Sequence, residues 1–452
     1  MNILIAGCGQ VGETLVEELS AEGHDLTILD SDPRVLEVGM ERYDVIALQG
    51  NCASVQTLHQ AGIEKADLLI ACTGSDELNL LCCVTAHIIN PNLHTIARVR
   101  NPEYTELAYE MRRLYGVSMT FNPEMQAALE IERLLKMPGF LKRESFTKGR
   151  VEIVELRVDA DSKICNIPLN ILYSIVKCKV LVCSVVRDGK AITPDGQFCL
   201  QAGDRIFVTA PSDNLATLLK NLGIVTHKVR RVMIVGGGTL SYYLAERLKT
   251  AAMDITILES GHERCVELAS LLPYVNVIEG NVREQSLLES EDIDSADALV
   301  TLTNVDELNM VLSLYGQSRE VPQIVTRLDT LGDTGIVENM MIGSVICPRR
   351  LCCNNIVRYV RAMQNQAGAA VMIHSIADGK AEAMEFLVDE TTQHCGEPLR
   401  KIRLRRNVRL VSITNKQGTE IPNGDSCFGL GDSVVVVASG DTVIGQLNDI
   451  FE

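Results

Sequence analysis

Gly7-x-Gly9-x-x-Gly12, set where an apolar run (Ile3 to Ala6) gives way to a helical pattern, is followed by Asp30 at the end of the next apolar run. These residue types suit one kind of chemistry. Gly7 permits a tight turn, Gly9 lets the backbone approach a pyrophosphate, and Gly12 lets helix and strand pack closely. The helix N-terminus adds free N–H groups and a partial positive charge. Asp30 is placed to accept hydrogen bonds from ribose hydroxyls, and its charge opposes a 2′-phosphate. Strand, glycine turn, helix and acid together form a dinucleotide-binding fingerprint in its required context.

Further apolar runs follow at Val45 to Leu48, Leu68 to Ala71, Thr95 to Val99 and Ser118 to Phe121. Short runs separated by helix-length segments predict a doubly wound, six-stranded parallel sheet. Ligands of such sheets lie at the carboxyl ends of the strands. The expected contacts in the first half are therefore Gly7, Cys8, Gly9, Gln10, Val11 and Gly12 in the first loop, Asp30 and Ser31 after the second strand, and Asn51 and Cys52 after the third. Thr73 and Glu77 follow the fourth strand, and Arg98 ends the fifth. Arg98 is the expected phosphate-sensing cation; the alternative is an ion pair with Asp76 or Glu77.

The whole pattern recurs. Gly236 and Gly238 repeat Gly7 and Gly9 at an offset of 229 residues, and Glu259 repeats Asp30. Asn281, Thr303 and Arg327 answer Asn51, Thr73 and Arg98, and Asp306-Glu307-x-Asn309 answers Asp76-Glu77-x-Asn79. The copies are unequal, because Ser241 replaces Gly12 and Asp329 replaces Arg100, so phosphate affinity is expected mainly in the first half. The intervening stretches repeat too, with Pro194 and Gly203-Asp204 answered by Pro422 and Gly431-Asp432. Each reads as a small α+β domain. Boundaries near Pro138-Gly139, Thr226 to Arg230 and Ala367 to Ala370 predict four parts: 1–140, 141–226, 227–366 and 367–452. Helices opened by Pro123 and Pro348 follow the two sheets, with Met125, Leu129, Leu134 and Leu135 to dock on the same domain or on another subunit.

With 452 residues and 46% hydrophobic side chains, the chain has material for several cores. Its 42 basic and 59 acidic residues give a net charge of −17, which disfavours nucleic acid as a partner. No export signal is read at the N-terminus, and the longest uncharged stretch, Leu78 to Ala97, is too polar for a bilayer span, so a cytoplasmic location is expected. The 15 cysteines lack C-x-x-C spacing, and neither disulfides nor a zinc site is expected. Cys8, Cys52 and Cys72 are expected near the cleft as small buried thiols. His24 and His262 read as surface-turn residues. The basic run Leu399 to Leu410 reads as a solvated face, with an acidic partner or membrane surface as the alternative.

The duplicated G-x-G opening, Gly50-Asn51, the run Thr73-Gly74-Ser75-Asp76-Glu77-x-Asn79 and Arg98 resemble those of the TrkA family, the tandem RCK (KTN) regulatory subunits of Trk potassium transporters. The resemblance spans essentially the whole chain. It implies two Rossmann-like domains, each followed by an RCK C-subdomain. It also implies a nucleotide ligand (NAD(H), ADP or ATP), a homotetrameric ring, an integral-membrane potassium-translocating Trk subunit as partner, and gating by nucleotide-dependent rearrangement of the ring at the inner face of the cell membrane. Two other readings stand beside it: a free-standing nucleotide sensor, and an NAD-dependent oxidoreductase. Tyr173-x-x-x-Lys177 invites the latter by copying a short-chain dehydrogenase acid/base pair, though it lies beyond the six-strand unit and has no repeat.

Overall fold

The computed structural model describes residues 1–104, 110, 116–224, 228–330, 340, 342–363, 370–377, 380–440 and 444–452. Of the expected boundaries at Thr226 to Arg230 and Ala367 to Ala370, residues 226–227 and 367–369 lie outside the described residues. The chain divides into two units, Met1–Leu129 with Cys347–Val357, and Glu130–Ile346 with Arg358–Glu452.

In the first unit, β1 (Asn2–Ala6), β2 (Asp25–Asp30), β3 (Ile46–Gln49), β4 (Leu68–Ala71), β5 (His94–Arg98) and β6 (Met119–Phe121) form a parallel sheet in the order β3-β2-β1-β4-β5-β6. The central strand β4, Leu-Leu-Ile-Ala, is buried along its whole length because helices cover both faces of the sheet. Local chemistry starts those helices. Asp32 accepts a hydrogen bond from Arg34 N ahead of Pro33–Arg42, whose first residue is a proline. Ser75 likewise accepts from Leu78 N ahead of Asp76–Ile89. The amphipathic helix Gln10–Ala21 buries Val11, Leu15, Val16 and Leu19. Residues 347–357 pack in this unit, with the Cys353 thiol donating to Val11 O and Asn355 Nδ2 to Gln126 Oε1.

The second unit holds three sheets. β7 (Lys142–Phe146), β8 (Val151–Arg157), β9 (Leu181–Arg187), β10 (Lys190–Ile192) and β11 (Arg205–Pro211) form an antiparallel sheet in the order β10-β9-β11-β8-β7. β12 (Arg231–Val235), β13 (Asp254–Glu259), β14 (Asn276–Glu279), β15 (Ala298–Thr301), β16 (Gln323–Arg327) and β17 (Ser344–Ile346) repeat the parallel sheet in the same topology. β18 (Ala370–Ile376), β19 (Ala381–Leu387), β20 (Val408–Asn415), β21 (Gly418–Glu420) and β22 (Ser433–Ser439) form a second antiparallel sheet, ordered β18-β19-β22-β20-β21.

The two antiparallel sheets share one core. Phe146, Cys183 and Phe207 from the first pack with Ile376, Val411 and Val435 from the second. In the helix Pro123–Lys136, Ile131, Leu134 and Leu135 are buried, and Glu132 accepts from Lys136 and Arg247. Leu134 and Leu135 thus find their cover within the chain. His24 departs from the sequence expectation: its side chain is 1% exposed and lies 3.6 Å from Glu22, in a turn that closes onto the end of the first helix through His24 N donating to Leu19 O. Among the described residues no helix is long and apolar enough to cross a membrane.

Candidate functional site

The carboxyl ends of β1 to β5 in the first unit bring the predicted residues to one rim. Gly7 has φ +97° and lies against the backbone of Cys72 and Thr73, so a side chain there meets both strain and a clash. At Gly12 a Cβ would stand 2.0 Å from Gly7 O, which makes glycine a packing requirement of this turn. Gly9 has open space where a side chain would project, leaving its backbone accessible. Gly9 and Gln10 are exposed, whereas Val11 and Gly12 face the core and serve the loop by holding it.

Asp30 ends β2 with one carboxylate oxygen accepting from Cys8 N at 2.7 Å and the other from Asp32 N at 3.0 Å. The acid therefore fixes the glycine turn before any ribose arrives. Ser31 and Asn51 are exposed on the same rim, while the Cys52 side chain is buried. Thr73 is bound to Asn79, and Glu77 accepts from Ser75 Oγ and Tyr104 OH at 2.6 Å each. Those two bonds, led by Ser75, hold the Glu77 carboxyl down to about 2. A cleft of about 470 Å³ opens beside the turn, lined by Cys8, Gly9, Gln10, Asp32, Arg34 and Val35.

Arg98 Nη2 donates to Thr73 O, and its Nε is buried without a partner among the described residues. Burial, with Arg100 nearby, lowers its pKa from the usual guanidinium value. The alternative ion pair with Asp76 belongs instead to Arg100, at 3.5 Å, and Arg100 Nη2 also donates to Gly74 O at 2.6 Å. Two cations thus border the loop after β4.

Sequence reasoning passed over the braces that shape this loop. Asn79, fully buried, accepts from Thr73 N at 2.8 Å and donates to Arg98 O at 3.0 Å, tying the ends of β4 and β5 together. Asp76 accepts from Arg100 N and Asn101 N at 2.7 Å each. The repeated D-E-x-N spacing was the available signal, because Asn309 and Asp306 do the same work in the second copy.

The thiols behave as buried hydrophobes. Burial pushes the Cys72 thiol up to about 12 and moves Cys8 in the same direction, aided by Cys72 and Asp30. Cys52 is the exception: a hydrogen bond from Cys82 lowers it below the ordinary thiol value against its burial. All 15 cysteines are free.

In the second copy Gly236 has φ +101° and Gly238 is again open, while Glu259 accepts from Gly237 N at 2.6 Å and Gly261 N at 2.7 Å. Burial raises the Glu259 pKa, but the amides of Gly261 and Gly237 outweigh it and leave the carboxyl below the usual range. Ser241 fits by donating its hydroxyl to Gly236 O. Asn281 and Thr303 occupy the equivalent rim. Arg327, however, donates through Nε and Nη2 to Asp329 Oδ2 at 2.9 and 2.6 Å and through Nη1 to Asn304 at 3.1 Å. Its charge is already matched.

Tyr173 is well exposed on the short helix Leu172–Val176, and Lys177 caps that helix in the left-handed conformation. The pair therefore lies between β8 and β9 of the first antiparallel sheet, outside both parallel sheets.

Family models place a TrkA-N domain at residues 3–123 and 232–348 and a TrkA-C domain at 153–223. The chain is 30% identical to the Trk system potassium uptake protein TrkA of Halomonas elongata, covering 100% of this chain and 99% of that protein. It is 29% identical to TrkA homolog 1 of Methanosarcina mazei, covering 96% and 97%. Its fold is similar to the GsuK RCK domain, with a TM-score of 0.62 at 16% identity over 97% of this chain and 92% of that one.

Proposed function

The chain belongs to the TrkA family of potassium uptake proteins, and we propose that it is a non-catalytic regulatory subunit whose first half binds a nucleotide and thereby gates a potassium-translocating membrane partner. The ligand is NAD(H), ADP or ATP. The observation that carries this reading is the contrast between the copies: a guanidinium with an unmatched buried Nε stands at the Arg98 rim, while its counterpart Arg327 is locked onto Asp329. Gly7, Gly9 and Asp30 supply the turn and ribose acceptor, Asn51, Thr73 and Glu77 the rim, and Arg98 the phosphate contact. A solved channel of similar fold, GsuK, is bound to NAD in one structure and to ADP in another, which accords with this ligand class.

We retain the four-part division 1–140, 141–226, 227–366 and 367–452 as the functional organisation. In it, a ring of four chains transmits the nucleotide state to the membrane subunit from the inner face of the cell membrane. A ligand shifts such a ring only by binding one arrangement better than another, and a coupling of about 1–3 kcal/mol suffices. Titration of the purified chain with NADH, NAD, ADP and ATP tests the nucleotide step. NADP should bind at least tenfold more weakly than NAD, since its 2′-phosphate meets Asp30; equal affinity overturns that placement. Co-purification with a potassium-translocating membrane protein separates this reading from a free-standing sensor. Substrate-dependent oxidation of bound NADH would favour the oxidoreductase.

A further inference from the structure

Outside the nucleotide rim, the second unit gathers a group of largely covered ionisable side chains where separate stretches of chain meet. Glu144 lies in β7 and His374 in β18, and the sheet registers make them equivalent positions of the repeat: Glu144 pairs with Ile153 as His374 pairs with Ala383. A symmetric joint would bring like groups together. Here the copies have diverged, and His374 Nδ1 meets Glu144 Oε2 at 2.7 Å. The adjoining turns match as well, with Thr147 and Ala377 at φ 52° and 53°, and the Thr147 amide is held by Glu385 of the second sheet at 2.9 Å.

The helix Pro123–Lys136 adds Glu130, whose side chain is 12% exposed. One oxygen of Glu130 contacts Arg133 Nη1 at 3.3 Å; the other, Oε1, is buried without a partner among the described residues, as is His374 Nε2. The same helix end is tied to β7, because Arg143 donates to Arg133 O and to Glu152. Lys142 lies 3.2 Å from Glu144, and Arg358, on the helix Pro348–Met363, interacts with Glu144 and Glu385.

We propose that Glu130, Glu144 and His374 form a proton-operated latch that holds the end of the helix Pro123–Lys136 and strands β7 and β18 together when Glu130 carries a proton and loosens when it does not. The charges facing Glu130 set the direction. Burial, then the neighbouring Glu144, raise its carboxyl to about 7, against the opposing pull of Arg133 and Lys142. Burial also raises Glu144, but His374 and Lys142 more than cancel it and bring that group to about 2, so Glu144 stays ionised while Glu130 titrates.

Because the closed latch binds the Glu130 proton more tightly than an opened, hydrated one, closure is fully favoured below the ordinary glutamate pKa. The advantage is lost as pH rises toward 7, and further increase adds nothing. Acidification closes the joint. Glu130, Glu144 and His374 all belong to the second unit, so the latch acts within it. It does not depend on the nucleotide reading.

Hydrogen exchange of the full chain between about pH 5 and pH 8.5, corrected for intrinsic rates, tests the latch. Segments 130–136 and 370–376 should open about tenfold more per pH unit at the steepest, levelling off above about pH 7, relative to core strands β1 and β12. Glu130→Gln, a neutral isostere, should keep both segments at the wild type's low-pH level throughout. A flat wild-type profile relative to the reference strands overturns the proposal even if the variant fails to fold. So does a Glu130→Gln profile that still follows the wild type.

Discussion

Arg98 and Arg327 end the fifth strands of two sheets with the same topology, yet Arg327 is hydrogen-bonded to a carboxylate, whereas the Arg98 Nε is buried without a partner among the described residues. The difference arises from the residue two positions on, Arg100 in one copy and Asp329 in the other. Charge-assisted hydrogen bonds contribute about 1.5–3 kcal/mol, so Arg98→Gln should weaken ADP binding by roughly ten- to a hundredfold in a calorimetric titration, with the melting temperature little changed. Asp329→Ala should release Arg327 and raise affinity at the second site by about tenfold or more, read in the same titration as an added binding event. At Gly12 the expected loss has another cause. Gly12→Ala places a methyl group 2.0 Å from Gly7 O, so thermal unfolding should show destabilisation of about 1–3 kcal/mol together with loss of nucleotide binding. Arg98 and Gly12 were both legible in the sequence, since spacing alone puts Arg98 at the end of the fifth strand and Gly12 in the first turn of the first helix. The neutralisation of Arg327 was legible only as a suspicion, because sequence does not say which way a guanidinium turns.

At the scale of elements, the strands of the first parallel sheet and the glycine turns fell within about one residue of their sequence-based bounds, since buried parallel strands are continuous apolar runs between turn signals. The braces were harder to see. Asn79 and Asp76 are polar residues in a helix's first turns, a pattern equally compatible with an exposed helix start; only the fold shows Asn79 buried and bonded to the ends of two strands. Asn79→Ala should leave Thr73 N and the strand-end carbonyls without partners and destabilise the first unit by about 2–4 kcal/mol, measured by denaturant unfolding. His24 was misread for a related reason. A Gly-His-Asp turn looks solvent-facing by composition, but the chain folds back and buries the imidazole. The proline-led helices were visible by their caps, and their partners were not. Hydrophobic periodicity defines a face without naming what covers it.

For the whole molecule, the duplication has consequences that neither half has alone. The two antiparallel sheets share a core within one chain, with Phe146 fully buried between them. Phe146→Ala should cost about 3–5 kcal/mol in denaturant unfolding and expose Ile376 and Val435. Unequal nucleotide rims predict one tightly held nucleotide per chain, and calorimetry giving two equal sites would overturn that asymmetry. By itself the sequence determined the two Rossmann-like sheets, the repeat, the glycine turns and the place of the acids at the ends of the second strands, because these rest on local spacing and backbone geometry. Tertiary structure alone decided which cations are spent on internal partners and which histidine is buried. It also decided that diverged residues of the two copies, Glu144 and His374, meet across the shared joint. Those outcomes depend on side-chain direction and on contacts between residues hundreds of positions apart, which no periodicity encodes.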